Sequence, residues 1–203
     1  MMAHVFPVLA AVAAGFGPIL RPVVGPSFRI RDERPRDAAA RESLLDASFG
    51  PARFAKTCER LREGRLAAEG LSFVALDGAD VVGTLRFWHV ECGRTPALML
   101  GPLAVAESHR SAGIGAAMVV QGLRRAAKLG HAGVILVGDA PYYARFGFAH
   151  APVADLILPG PVDPARVLGL ELRPGGLAGA EGRVVGTGLI ADRRGEQPLR
   201  LAA

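Results

Sequence analysis

Cysteine is scarce in this chain: Cys58 and Cys92 are the only two among 203 residues, and they form no C-x-x-C pair. The five histidines make no spaced cluster. Structural zinc needs Cys and His ligands at short, repeated spacings, so no metal site is expected. The two thiols read as free cysteines in a reducing cytoplasm. Runs of like charge are also missing. A net charge of +5 arises from 24 Lys and Arg against 19 Asp and Glu, spread along the chain. Without a basic block, no nucleic-acid arm is expected. No Gly-Lys-Ser/Thr occurs, which excludes a P-loop.

Apolar residues make up half of the chain and charged residues 21%, enough to bury a core within one domain. One apolar run is long. Met1–Leu20 lacks the basic n-region of a signal peptide, and Pro7, Gly15, Gly17 and Pro18 interrupt it as a membrane span. Residues 1–26 are therefore expected to be a disordered extension or non-native leader, with a membrane-attached form as the rival reading. The folded domain is expected over residues 27–190 and a loose tail over 191–203.

Periodicity then divides the domain. Phe28–Arg31 alternates apolar and basic, as a half-buried strand does. Asp37–Phe49 carries Ala39, Leu44, Leu45 and Phe49 near helical spacing, stopped by Gly50-Pro51, and Ala52–Glu63 reads as a second helix. Leu71–Leu76, the turn Asp77–Asp80 and Val81–Val90 form a hairpin. A polar loop is expected over Glu91–Pro96 before a third strand, Ala97–Val105. Gly113–Leu129 is an amphipathic helix whose stripe holds Ile114, Met118, Val119, Leu123, Ala126 and Ala127, with Gly130 as its stop. Val134–Val137 follows that helix and should pair in parallel with the strand before it. Pro141–Phe146 reads as a short helix, with a strand beginning at Phe148. A loop is expected over Pro152–Pro164, a last strand over Val167–Leu172, and little core contribution from Gly179 onward except at Arg183–Val185.

The stretch that carries chemistry is Leu98–Gly115. An apolar strand enters a polar turn ending in Arg110-x-x-Gly113-x-Gly115, and a helix opens at once. Backbone N–H groups at a helix N-terminus, with glycines that admit close approach, make a cradle for an anionic group. The helix dipole adds about half a positive charge there. A dinucleotide fold fits poorly, because Met118 stands where the third glycine of G-x-G-x-x-G belongs and an antiparallel meander precedes the motif.

Arg110-x-x-Gly113-x-Gly115 resembles the pyrophosphate-binding motif of the GCN5-related N-acetyltransferases, and Tyr143-Ala-Arg-Phe146-Gly147-Phe148 resembles their Tyr-x-x-Phe-Gly-Phe segment. Leu100–Val105 and Gly138-Asp139-x-x-Tyr142-Tyr143 resemble the YhbS-like branch of predicted N-acetyltransferases. The likeness spans about residues 28–189. It implies a mixed α/β fold whose sheet splays at one parallel strand pair, opened by a bulge in the strand matching Ala97–Val105.

It also implies acetyl-CoA as cosubstrate. The main chain of Leu103, Ala104 and Val105 would hold its pantetheine arm as a pseudo-strand. The N–H groups of Ser111, Ala112, Gly113, Ile114, Gly115 and Ala116 would hold the diphosphate, with Arg110 adding charge. Tyr143 matches the tyrosine that protonates the leaving thiolate, and Asp139 is a candidate base whose first reading is a turn residue capping the next helix. His89 and Glu91 are candidates for substrate contact, while His109 and His131 read as turn and helix-end residues.

The implied reaction is acetyl transfer by direct attack to a primary amine, either a small molecule or a peptide N-terminus. A non-catalytic acyl-CoA-binding module on the same fold is the alternative. No metal, nucleic acid or membrane enters this reading, and a monomer or homodimer is expected. Asp37–Gly64, Glu91–Pro96 and Leu158–Leu172 would shape the acceptor pocket.

Overall fold

The computed structural model describes residues 28–191. The expected extension over 1–26, and all of the expected tail except Ala191, lie outside the described residues. The elements in chain order are β1 (Phe28–Asp32), α1 (Ala38–Phe49), β2 (Ser72–Asp77), β3 (Asp80–Gly93), β4 (Thr95–Val105), α2 (Ile114–Lys128), β5 (Gly133–Val137), α3 (Ala140–Ala144), β6 (Leu156–Ile157), β7 (Val167–Glu171) and β8 (Ala180–Gly186). The sheet order is β1-β2-β3-β4-β5-β7, with β8 pairing both the far end of β3 and β6. The antiparallel meander of β2, β3 and β4 and the parallel pairing of β4 with β5 agree with the sequence reading.

The two faces of the sheet are covered differently. On one face α2 lays Ile114, Met118, Val119 and Ala126 against Phe73, Leu85, Phe87, Leu98 and Leu136. Each fully buried Leu, Ile or Phe contributes about 1.5–3 kcal/mol of transfer free energy. Gly122 lies on this stripe, since a Cβ there would come 2.5 Å from the Phe87 ring. Leu123 is only partly buried and Ala127 is exposed, so the buried stripe is narrower than the expected one. The helix ends as a Schellman motif: Gly130 takes φ 87°, its N–H reaches the Ala127 carbonyl, and the His131 N–H reaches that of Ala126. The opposite face buries Trp88, Val90, Met99, Ile135, Val167 and Val184. Leu44 and Leu45 of α1 close over Ala104, with Phe49 packed beside them and Ala39 left exposed.

Five local expectations need correction. Residues 52–63 are two short 3-10 turns, Pro51–Ala55 and Glu59–Leu61, because Lys56 is extended at ψ 145° and interrupts them. Residues 91–96 are not a loop. β3 runs to Gly93 and β4 restarts at Thr95, with Cys92 paired to Thr95 across a two-residue turn at Gly93-Arg94. No strand begins at Phe148; its ring is buried, and Ala149 makes a single bridge to Gly169. Finally, Ala180–Gly186 is a strand, held by Val90–Gly93 on one side and Leu156–Ile157 on the other. The last of these pairings also places a strand inside the expected Pro152–Pro164 loop.

Candidate active site

The site begins with an irregularity in β4. Leu103 faces Leu85 and Leu100 faces Phe87, so Gly101 and Pro102 together oppose Arg86 alone. That extra residue is a β-bulge, which bends the strand and ends regular pairing. Gly101 takes φ 125°, a region open to glycine. Its buried carbonyl accepts the indole N–H of Trp88 at 2.7 Å. The parallel ladder between β4 and β5 consists of Leu98–Val134 and Met99–Ile135 only, while β5 stays paired with β7 through Val137. Past Met99 the two strands part.

Main-chain direction follows from the antiparallel alternation. The Ala106 N–H donates to the Val82 carbonyl at 2.8 Å. Positions two apart point to the same side, so Ala104 also turns its main chain toward β3. Leu103 and Val105, at the alternate positions, present N–H and C=O to the opposite edge, along the gap. The Ala104 side chain is buried under α1.

At the far end of that edge lies the helix cradle. A short 3-10 turn, Glu107–His109, leads into Ser111 at φ 66° and Gly113 at φ 80°. Gly113 is the N-cap of α2, without a side-chain cap, and the first intrahelical bond runs from Ala117 N–H to its carbonyl. The N–H groups of Ile114, Gly115 and Ala116 thus have no intrahelical acceptor. The Ala112 N–H makes a long bond to the His109 carbonyl, 3.4 Å. Arg110 is exposed, and its guanidinium stands 3.9 Å from Glu107. The buried Ile114 side chain anchors the turn from below.

His109 is not the exposed turn residue that the sequence pattern indicated. Its side chain is 17% exposed, with Nε2 3.1 Å from Asp77 and Nδ1 2.8 Å from the Ser108 hydroxyl. It ties the cradle to the β2–β3 turn. No local pattern marks that role, because Asp77 lies 32 residues away.

Two adjacent tyrosines join the cradle to the gap. A Cβ on Gly115 would stand 3.0 Å from the Tyr142 hydroxyl, so Tyr142 caps the first turn of α2. Tyr143 turns the other way, onto Gly138, where a Cβ would come 2.3 Å from its ring. It packs edge-on against Tyr142 and Phe148. Burial pushes the Tyr143 hydroxyl up to about 12, with smaller contributions from Tyr142 and Asp139. Asp139 is the N-cap of α3, accepting the Tyr142 N–H at 3.1 Å.

Tyr143, Asp139 and Leu103 line one cavity of about 620 Å³, which opens where β4 and β5 diverge. Besides neighbouring residues of β4 and β5, its wall comes from residues 45–62 and 161–166, which belong to two of the three segments expected to shape the pocket. The third, 91–96, is absent from the lining, as are His89 and Glu91. His89 instead faces His131, ring centroids 5.5 Å apart. Arg53, Lys56, Cys58, Arg62 and Arg166 on the wall were not singled out by sequence reading. Both cysteines are free; burial raises both thiols, that of Cys92 to about 12. Among the described residues, no group of three or more His, Cys, Asp or Glu can hold a metal ion, and no helix is long and apolar enough to cross a membrane.

A mixed sheet split at one parallel pair, with a helix N-terminus at the mouth of the split, defines an acyl-CoA N-acyltransferase fold. The family profile described as acetyltransferase (GNAT) domain matches residues 68–150. The uncharacterized N-acetyltransferase YhbS of Escherichia coli (strain K12) is 37% identical over 130 residues, 63% of this chain and 77% of the relative. The crystal structure of the GNAT family N-acetyltransferase YhbS from Escherichia coli in complex with CoA superposes with TM-score 0.67 at 33% identity, covering 85% of this chain and 93% of that one. A GNAT family acetyltransferase from Brucella melitensis in complex with acetyl-CoA gives TM-score 0.57 at 29% identity, over 74% and 91% of the two chains. The chain belongs to the GNAT acetyltransferase family, in its YhbS-like branch.

Proposed function

We propose that this protein transfers an acetyl group from acetyl-CoA to a primary amine by direct attack, without a covalent enzyme intermediate. The observation that supports this most is the short parallel ladder. It leaves the Leu103 and Val105 main chain unpaired on the β4 edge, with Tyr143 on the cavity wall beside Leu103 and the open N–H groups of α2 beyond the end of that strand. An amide-bearing arm can add to that strand edge, and a diphosphate can sit on Ser111, Gly113, Ile114, Gly115 and Ala116, with Arg110 screening its charge. Acetyl-CoA, when bound, supplies the thioester that the amine attacks.

The roles of the protein groups follow from their chemistry. A strand N–H at Leu103 or Val105 donates to the carbonyl oxygen as negative charge develops there. The C–S bond breaks toward Tyr143. A phenol at about 12 is a weaker acid than a thiol at about 8.5, so Tyr143 stabilises the departing thiolate by donating a hydrogen bond, and complete proton transfer runs uphill. The two carboxylates on the wall, Asp139 and Asp163, each accept a helix-cap N–H. The amine attacks in its neutral form, and the proton released as the amide forms passes to water at the open mouth, with Asp139 the carboxylate beside Tyr143 on the way.

Thiol release from acetyl-CoA, followed with a panel of primary amines, tests this reading. Amine-dependent release with a matching acetylated product supports it. Saturable CoA binding without release for any amine would make the protein a binding module instead.

A further inference from the structure

The cavity as a whole lies off the cradle, since none of residues 110–116 lines it, and one part of its wall is remote in sequence from the rest. That part of the wall is built from two segments crosslinked by side chains: the Thr57 hydroxyl donates to the Pro161 carbonyl at 2.6 Å, and Arg60 donates to that of Pro159 at 2.7 Å. Four cations line the cavity, Arg53, Lys56, Arg62 and Arg166, against two carboxylates, Asp139 and Asp163.

The pairing of these charges is uneven. Arg53 is bound by Asp46 and Glu42, and Arg62 by Glu59 at 2.6 Å. Lys56 and Arg166 have no carboxylate within salt-bridge distance among the described residues. The Lys56 ammonium lies 4.7 Å from the centre of the Phe49 ring. The Arg166 Nε donates to the Gly138 carbonyl at 3.3 Å, and the Arg166 carbonyl accepts the Gly138 N–H at 2.9 Å. Arg166 is thereby fixed one residue from Asp139, at the edge of the reaction gap. Cys58 lies on the same wall as these cations. Arg62, Lys56 and Arg166 each act to lower its thiol pKa, although burial outweighs them and raises it.

We propose that Lys56 and Arg166 hold an anionic group of the acceptor, so that the acceptor is a small primary amine that also carries a carboxylate or a phosphate. The inference rests on the acetyl-transfer reading and narrows it. Unpaired cations at the rim of a partly enclosed cavity attract an anion more strongly than they would in open water. The same charges repel a polyamine, because its second ammonium would meet them. Arg166 suits a carboxylate or phosphate through its planar fork, and Lys56 as a point charge.

The test measures kcat/KM for thiol release with matched pairs, β-alanine against β-alaninamide and phosphoethanolamine against ethanolamine, with spermidine as the polycation. Rates are compared per unit of neutral amine. The expected result is a preference of at least about tenfold for the anionic member of a pair, with spermidine poorest. The pair with the larger ratio identifies carboxylate or phosphate as the anion. K56E and R166E, each verified by CoA titration, should lower that ratio by about tenfold or more. Equal rates within both pairs, or a preference for spermidine, would overturn the inference and leave acetyl transfer standing. Absence of thiol release with every amine would sink the transferase reading. In that event, titration of the CoA-saturated protein decides: heat on adding β-alanine or phosphoethanolamine, without heat from the neutral partners, supports the anion site, and no heat from any of them overturns it.

Discussion

The indole N–H of Trp88 donates to the carbonyl of Gly101 across 2.7 Å, in the buried interior between β3 and β4. That bond holds the carbonyl at the bulge, and the bulge is what turns the β4 edge away from β5. Trp88→Phe keeps an aromatic body in the core and leaves the buried Gly101 carbonyl without its donor. An orphaned buried acceptor costs about 1–3 kcal/mol. Urea unfolding should show a lower midpoint by that amount, and CoA titration a weaker affinity. Wild-type affinity in a destabilised variant would mean that the bulge does not depend on this bond.

Tyr143→Phe removes the hydroxyl and keeps the ring that packs on Gly138 and Phe148. Loss of one donor to developing charge typically lowers kcat by about 10²–10³, and CoA affinity should change little. With the phenol pushed up to about 12, its ionisation lies above the working range, so the pH profiles of variant and wild type should be parallel between pH 6 and 9. An unchanged kcat across that range would remove Tyr143 from the mechanism.

Gly113 takes φ 80°, and a Cβ built there meets nothing within 4 Å. Within the protein alone, Gly113→Val therefore costs backbone strain of about 1–2 kcal/mol rather than a clash. Its larger effect should fall on CoA affinity, because the new side chain stands beside the N–H groups that face the diphosphate. Calorimetry on the folded variant checks this, and unaltered affinity would count against the cradle.

The Arg31 guanidinium, bonded to Asp37 at 2.6 and 2.9 Å, holds that carboxyl down at about 2, helped by the Arg34 N–H and opposed by burial. A carboxyl depressed on folding contributes stability above its unfolded pKa, near 3.9, and loses it as pH falls toward the folded value. The contribution is about 2 kcal/mol. Asp37→Asn should lower stability at pH 7 by about that amount, and the gap from wild type should close between pH 4 and 2. A gap that stays constant with pH would show that the ion pair is not its source.

Where sequence and structure agree, the signal was local. The meander of β2 to β4 rests on apolar runs broken by Asp77-Gly78, and α2 on the spacing of Ile114, Met118, Val119 and Ala126. The cradle was legible because glycines, strand and helix adjoin in the chain. What was missed depends on distant partners. β8, with Gly182 and Gly186 in its span, has little strand character alone and exists because Val90–Gly93 offers an edge. The cavity wall brings Arg53 and Lys56 beside Asp163 and Arg166, more than 100 residues on, through the Thr57–Pro161 bond. Only Gly101-Pro102 carried a readable hint of the bulge, as glycine and proline inside a strand mark broken pairing.

The central claim is that the parted edge of β4 and the first turn of α2 together grip coenzyme A. Isothermal calorimetry of the folded protein with CoA tests it most directly, with pantetheine, which lacks the diphosphate, as comparator. Saturable one-to-one binding of CoA, much weaker for pantetheine, is the predicted result. No heat on titrating CoA into protein shown to be folded would contradict it.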